Sequence, residues 1–406
     1  MKKILLPFLA ILFVAALFIL LESRDDWDKI SAFGSGEKEK NIIYIGVYEP
    51  LTGDYSQGGL SEALGIRYAN SVCPTVDIAG VTYDIKLVEA DCGAYEEGSV
   101  IPAQALIKSD VCAVLGSYSA KETNAGLSVL EGNGIPLVGV SCSSRSATED
   151  SSGYFRLCCT DSLQSGIMAN LADSMDLKHA ALLTQTGDEY SKETGRVFTE
   201  AFKKLGGEVT DFSFQLGQEN FRSLAKEISN SDADFVIMLS GAFEATYFIS
   251  QSRNEGLVCP VMGLENWDSS LLLNDVGAAS REVYFASEFD SSEAADPVSA
   301  EFADSYSTWI SKDAQRLKDN GGNGYTSTAS ATAYDGYMMI VEAIEAADSI
   351  EPQAITAALR TLKYEGVTGG ISFDENGEAI KKQVFIKTMD LSSKQFEVLQ
   401  TSSVGG

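Results

Sequence analysis

The chain has 406 residues, a hydrophobic content of 45% and a formal net charge of −28. That apolar share is too high for a disordered chain and too low for a multi-span membrane protein. The carboxylate excess repels nucleic acid and anionic membrane surfaces, and it fits a soluble body outside the cell, with a specific cationic ligand or a salt-rich habitat as the alternatives.

Lys2 and Lys3 precede an uncharged apolar run from Ile4 to Leu21. At about 1.5 Å per residue the run covers roughly 27 Å, nearly the hydrocarbon core of a bilayer. Leu20-Leu21-Glu22-Ser23 offers no small-x-small cleavage site, and the first cysteine is Cys73, which excludes a lipid-modified N-terminal cysteine. The lysines place the N-terminus inside and the body outside. Residues 1–21 are expected to form a membrane anchor or a cleaved signal segment, and residues 22–40 a tether.

Short apolar runs then alternate with amphipathic stretches. Ile42–Tyr48 reads as a buried strand, followed by a turn-rich loop at Glu49–Gly59 and a helix over Leu60–Val72. Strand Tyr83–Ala90, helix Ser99–Ser109, strand Cys112–Leu115, a helix to Glu131 and strand Pro136–Val140 continue the order. A second half repeats it with strands at Ala180–Thr184, Val209–Phe214, Phe235–Leu239, Pro260–Gly263 and Glu282–Ala286. The helices between them are expected at Lys192–Leu205, Phe221–Ser229 and Phe243–Asn254. Parallel strands with helical crossovers bury both faces of a sheet, so the order predicts two α/β halves in series. The tail carries helices over 297–349 and 352–362 and isolated strands near 370–373, 383–389 and 395–399. It is expected to complete the two halves.

The seven cysteines show no zinc spacing, and His179 is the only histidine, so no metal site or cofactor is expected. Cys92 and Cys112 are the pair expected to bond first if a disulfide forms, and Cys158-Cys159 reads as a vicinal disulfide or two buried thiols. No G-x-S-x-G elbow occurs, and a lone histidine is usually structural, so catalysis is not expected.

Ligands of open parallel sheets sit beyond the C-terminal strand ends. The loops there are Glu49–Gly59, Gly116–Ala120 and Ser141–Ser144 in the first half. In the second they are Gln185–Tyr190, Ser240–Phe243 and Leu264–Trp267. Gly-Ser-Tyr-Ser at 116–119 and Ser-Cys-Ser-Ser at 141–144 are hydroxyl-rich turns that either hold an anion or cap helices. Glu265 reads either as a partner for a ligand ammonium or as a solvated loop charge.

Nine motifs in order resemble the leucine/isoleucine/valine-binding proteins, periplasmic binding proteins of type I that serve ABC importers. They begin with I-x-I-G-V-Y-E-P-L-T-G at 43–53, E-A-D-C at 89–92 and V-L-G-S-Y-S at 114–119. G-I-P-L-V-G-V-S at 134–141, R-L-C-C-T-D-S-x-Q-S-G at 156–166 and G-D-E-Y-S at 187–191 follow. V-M-G-L-E at 261–265, A-T-A-Y-D-G at 331–336 and G-x-I-S-F-D-E-N-G at 369–377 close the set.

The resemblance implies an α/β clamp of two Rossmann-like lobes with parallel central sheets. Three crossovers join the lobes, near Thr160–Asp161, Ala286–Ser287 and Val367–Gly369. Lobe 1 would comprise residues 41–160 and 287–367, and lobe 2 residues 161–286 and 368–406. The implied function is capture of a small amino-acid-like ligand, branched-chain or related, for an ABC permease and ATPase complex. An extracytoplasmic place, anchored by residues 4–21, goes with it. By the same resemblance Ser119, Ala120, Ser141, Cys142 and Ser143 face the ligand carboxylate, and Glu265 and Tyr190 its ammonium. Ala120 stands where the family has a ligand-binding serine, Gly58 where it often has an aromatic, and Gly241-Ala242 where an aromatic is common. Tyr55 and Phe243 are the expected fillers of that space, and Tyr334 and Asp335 match the helix beside the hinge. A ligand-sensing receptor subunit and a ligand-free envelope scaffold of the same fold are the alternatives.

Overall fold

The computed structural model describes residues 41–403, apart from residue 97 and short stretches at 145–150, 277–278, 280, 293–295, 382, 391–392 and 394. The expected anchor and tether, residues 1–21 and 22–40, lie outside the described residues. Among the described residues no helix is long and apolar enough to cross a membrane.

The first lobe is built from β1 (Ile42–Glu49), α1 (Ser56–Val72), β2 (Thr75–Ile78), β3 (Val81–Asp91), α2 (Ile101–Lys108), β4 (Ala113–Gly116), α3 (Ala120–Glu131), β5 (Leu137–Gly139) and β6 (Tyr154–Arg156). The sheet order is β2-β3-β1-β4-β5-β6. β1, β4, β5 and β6 pair in parallel, and β2 adds an antiparallel edge on β3. The central strands are apolar at almost every position, as a sheet covered on both faces requires.

The second lobe contains α4 (Asp161–Ser174), β7 (His179–Gln185), α5 (Glu189–Lys204), β8 (Glu208–Phe214), α6 (Arg222–Ser229), β9 (Phe235–Leu239), α7 (Ala242–Asn254), β10 (Val261–Gly263), α8 (Ser270–Asp275) and β11 (Val283–Ser287). Helix α5 shows why these segments fold locally. Asp188 caps it by accepting the Ser191 N–H at 2.9 Å, Glu189 lies in its first turn and Lys203-Lys204 in its last.

The tail supplies α9 (Pro297–Ser311), α10 (Ala314–Asp319), α11 (Thr328–Ala347), α12 (Pro352–Thr361), β12 (Lys363–Gly366), β13 (Gly369–Ser372), β14 (Gln383–Asp390) and β15 (Gln395–Ser403). Strands β14 and β15 join the second sheet antiparallel, in the order β15-β14-β11-β10-β9-β7-β8. Helix α11 buries Tyr337, Ile340 and Ile344 against β1, β4 and β6 of the first sheet.

Core membership shows where the chain changes lobes. Leu157 packs in the first lobe and Cys159 in the second; Ala286 packs in the second and Phe289 beside α9. Phe373 still packs in the first core, and Val384 is the next residue in the second. The last passage therefore lies beyond the Val367–Gly369 expected, because β13 pairs with β12 and Ile371 and Phe373 stay in the first core.

Elements that the sequence reading did not delimit include β2, β6, β12 and α4. Three are strands of three or four residues. Helix α4 hides because Ser165, Gly166, Ala169 and Ala172 blur its apolar stripe. The proposed Cys92–Cys112 pairing is corrected: all seven cysteines are free thiols, and these two pack in different core clusters. Cys158 and Cys159 are two buried thiols.

Candidate ligand-binding cleft

Strand ends of both sheets meet at one place, and Tyr118 marks it. Gly116 ends β4 with φ +123°, a conformation that frees the chain to turn sharply; a Cβ there would stand 2.0 Å from Tyr48 O. The turn presents Ser117-Tyr118-Ser119 ahead of α3. Ser119 accepts the Glu122 N–H at 3.5 Å, so its hydroxyl caps the helix. The Tyr118 N–H donates to Glu49 Oε2 at 3.1 Å. The Tyr118 ring lies 6.5 Å from that of Tyr55 and covers Gly58. The space over Gly58, for which Tyr55 and Phe243 were the expected fillers, is thus taken by Tyr118 with Tyr55 beside it.

Beneath Tyr118, Glu49 from the end of β1 lies against Glu62 of α1, both fully buried. Burial and the facing carboxyl push Glu49 well above the usual carboxylate range. Burial also raises Glu62, to about 7, while Glu49 and the Ser141 hydroxyl favour its ionised form. The contact between the two is a hydrogen bond only while one of them holds a proton. Sequence reasoning missed both residues, since a glutamate beside a turn and one on a helix read as solvated charges.

From the second lobe, Glu265 follows β10 directly and is 4% exposed. Its N–H donates to Gln164 Oε1 at 3.2 Å, and its Oε1 accepts no hydrogen bond. Burial, then the neighbouring Glu288, hold its carboxyl well above the usual range. Glu288 is itself tied down: it accepts the Cys159 N–H, and Lys381 Nζ stands 3.4 Å from its Oε2. Asp161, at the start of α4, is pushed by burial to about 6, against the pull of Ser143 and Arg156. Tyr190 sits near Asp161, Glu265 and Tyr118, and its hydroxyl accepts from Asn266 Nδ2 at 3.4 Å.

The other expected residues fall as follows. Ser141 stands beside Glu62, and the Ser143 carbonyl accepts from Arg156. The Cys142 side chain turns into the core against Thr123 and Tyr154. Ala120 opens α3, and Ala242 is buried at the start of α7. The Phe243 ring is 36% exposed and packs 5.1 Å from Tyr247 instead of on the tyrosines of the cleft. His179 Nε2 lies 2.7 Å from Thr210 Oγ1 at the far end of β7.

Hydrogen bonds also tie the lobes beside the cleft. Asn274 of α8 donates to Gly321 O at 2.7 Å and accepts from Asn323 at 2.8 Å. Asp268 accepts from Lys387 Nζ at 3.0 Å, and from Tyr325 and Ser287. Within the first lobe, Asp335 of α11 accepts the N–H groups of Val367 and Thr368 at 2.9 and 2.8 Å, fixing the β12–β13 turn to the helix.

Residues 42–394 match the family described as periplasmic binding protein. The chain belongs to that family, the substrate-binding proteins of ABC transporters, whose members bind solutes outside the cytoplasm and are not enzymes. It is 22% identical over 360 residues to the leucine-, isoleucine-, valine-, threonine- and alanine-binding protein of Pseudomonas aeruginosa, covering 86% of this chain and 90% of that one. The fold is similar to that of the branched-chain amino acid transporter substrate-binding protein of Streptococcus pneumoniae in complex with isoleucine. There the TM-score is 0.77 at 23% identity, over 90% of this chain and 99% of that one. It is also similar to a solute-binding protein of an ABC transporter from R. palustris in complex with 4-hydroxybenzoate, with a TM-score of 0.76 at 20% identity, over 89% and 97%.

Proposed function

We propose that the protein captures a small amino-acid-like ligand between its lobes and delivers it to an ABC permease and ATPase complex. In this reading the ligand ammonium faces Glu265 and Tyr190. Its carboxylate faces the N-terminus of α3 at Ser119 and Ala120, and the Ser141–Ser143 turn. Tyr55 and Tyr118 wall the space between. Residues 4–21 hold the body at the outer face of the membrane.

The observation that carries the reading is Glu265, a buried carboxyl whose Oε1 has no donor, at a strand end that faces Tyr118 of the opposite lobe. A buried acceptor without a donor costs free energy unless a partner arrives. A ligand ammonium is such a partner, and its charge-assisted hydrogen bond strengthens once the cleft excludes water. The similarity to proteins named for leucine, isoleucine and valine supports an amino acid over a benzoate. A benzoate would bring a negative charge and no cation for Glu265 to hold.

Closure follows from the connectivity. A ligand that touches both lobes binds the closed state better than the open one and shifts the population toward it. The three chain passages between the cores, at 157–159, 286–289 and 373–384, are the segments that closure would bend.

A thermal-shift screen of the full chain in detergent, against the proteinogenic amino acids and small carboxylates, tests the reading. At least one amino acid raises the melting temperature through mass action. No shift with any of them contradicts it.

A further inference from the structure

The cleft holds two carboxyl pairs, one in each lobe, and only one has a cation. Glu265 lies against Glu288, and Lys381 balances Glu288 at 3.4 Å. Glu49 lies against Glu62, and among the described residues neither makes an ion pair. Glu62 Oε1 and Oε2, Glu49 Oε1 and Glu265 Oε1 are all buried, and among the described residues they meet only the facing carboxyls, Ser141 beside Glu62 and Gln164 beside Glu265. Glu62 and Glu265 are also among the charges that act most strongly on the Tyr118 hydroxyl, from opposite lobes.

A carboxyl pair without a cation is an expensive thing to bury for structure alone. Replacing such groups with apolar side chains of similar size is often neutral or stabilising. The pair instead has the features of a half-made contact. It is fully buried, the Ser141 hydroxyl and the Tyr118 N–H orient it, and among the described residues no cation balances it.

We propose that the cleft takes a ligand with two ammonium groups, one held by Glu265 and the second by the Glu49–Glu62 pair. Short diamines and basic amino acids share this chemistry. The basic amino acid adds a carboxylate for the N-terminus of α3. The inference rests on the reading of the interlobe cleft as the ligand site, and it narrows the ligand to one of net positive charge.

Calorimetric titration of the full chain in detergent tests it with three probes: L-lysine, 1,4-diaminobutane and L-leucine. Lysine or diaminobutane binds at least tenfold more tightly than leucine, and which of the two binds better reports whether a carboxylate is also read. Glu62→Gln removes most of that advantage; Glu49→Gln serves as the second variant if Glu62→Gln lacks a cooperative melt. Leucine binding as tightly as both dications, or lysine affinity unmoved by Glu62→Gln, overturns the second ammonium site. If leucine binding is then lost in Glu265→Ala, the cleft reading survives without the dication. No binding of lysine or diaminobutane overturns the inference, and no binding of any amino acid overturns the cleft reading with it.

Discussion

The Tyr118 ring rests on the bare backbone of Gly58: a Cβ at that glycine would stand 2.2 Å from Tyr118 Cε2. The aromatic over this backbone arrives from the β4–α3 turn. The same residue lends its N–H to Glu49. A single tyrosine therefore sets both the wall of the cleft and the position of a buried carboxyl.

Gly58→Ala forces Tyr118 off its seat. Overpacking of this kind costs about 1–3 kcal/mol. Urea denaturation is expected to show that loss, together with weaker binding of whichever amino acid stabilises the wild type. A variant with wild-type stability and affinity would mean that Tyr118 moves freely.

Stability is expected to fall as pH rises through neutrality. Burial raises Glu62 to about 7 in the folded chain against 4.5 when unfolded, and it raises Glu49 and Glu265 as well. A raised carboxyl binds its proton more tightly in the folded state. Its stabilising effect is complete below the unfolded value and is lost as pH passes through the folded one. Melting temperature measured from pH 5 to pH 8 is expected to decline, and Glu62→Gln to flatten part of the slope. A rising profile would contradict the shared-proton description.

Lys387 and Asp268 form a buried pair that Tyr325 and Ser287 complete. Lys387→Ala strands Asp268 in the interior, which typically costs about 3–5 kcal/mol. The double change Lys387→Met with Asp268→Leu is expected to cost less than Lys387→Ala alone. Denaturation midpoints of the two variants check the order.

All seven cysteines are thiols, and only Cys73 and Cys259 are not fully buried. A thiol reagent is expected to modify those two first in the native protein, and all seven after unfolding without reductant. Fewer thiols in the unfolded chain would reveal a disulfide.

Much of the fold was legible because buried parallel strands are continuous apolar runs, and Phe235–Leu239 and Val261–Gly263 read as such without context. Strand ends marked the loops that contain Glu265 and Tyr190, and the resemblance alone suggested their roles. Short β6 carried too few residues for any period to show, and the passage of the tail at 373–384 depends on which core Phe373 enters. Glu49 and Glu62 escaped for a different reason. Their meaning lies in facing each other across β1 and α1, and polarity along a sequence does not record which charges a fold buries. Phe243, expected to fill space in the cleft, looks apolar in sequence but turns to Tyr247 and solvent.

Glu265 carries the central claim, and one comparison tests it. Calorimetric titration of wild type and Glu265→Ala with the most stabilising amino acid, alongside their ligand-free melting temperatures, separates binding from folding. Removing a buried carboxyl held above its usual range leaves the melting temperature unchanged or higher, while affinity falls more than tenfold. Unchanged affinity for that ligand would contradict the assignment of Glu265 as the ammonium site.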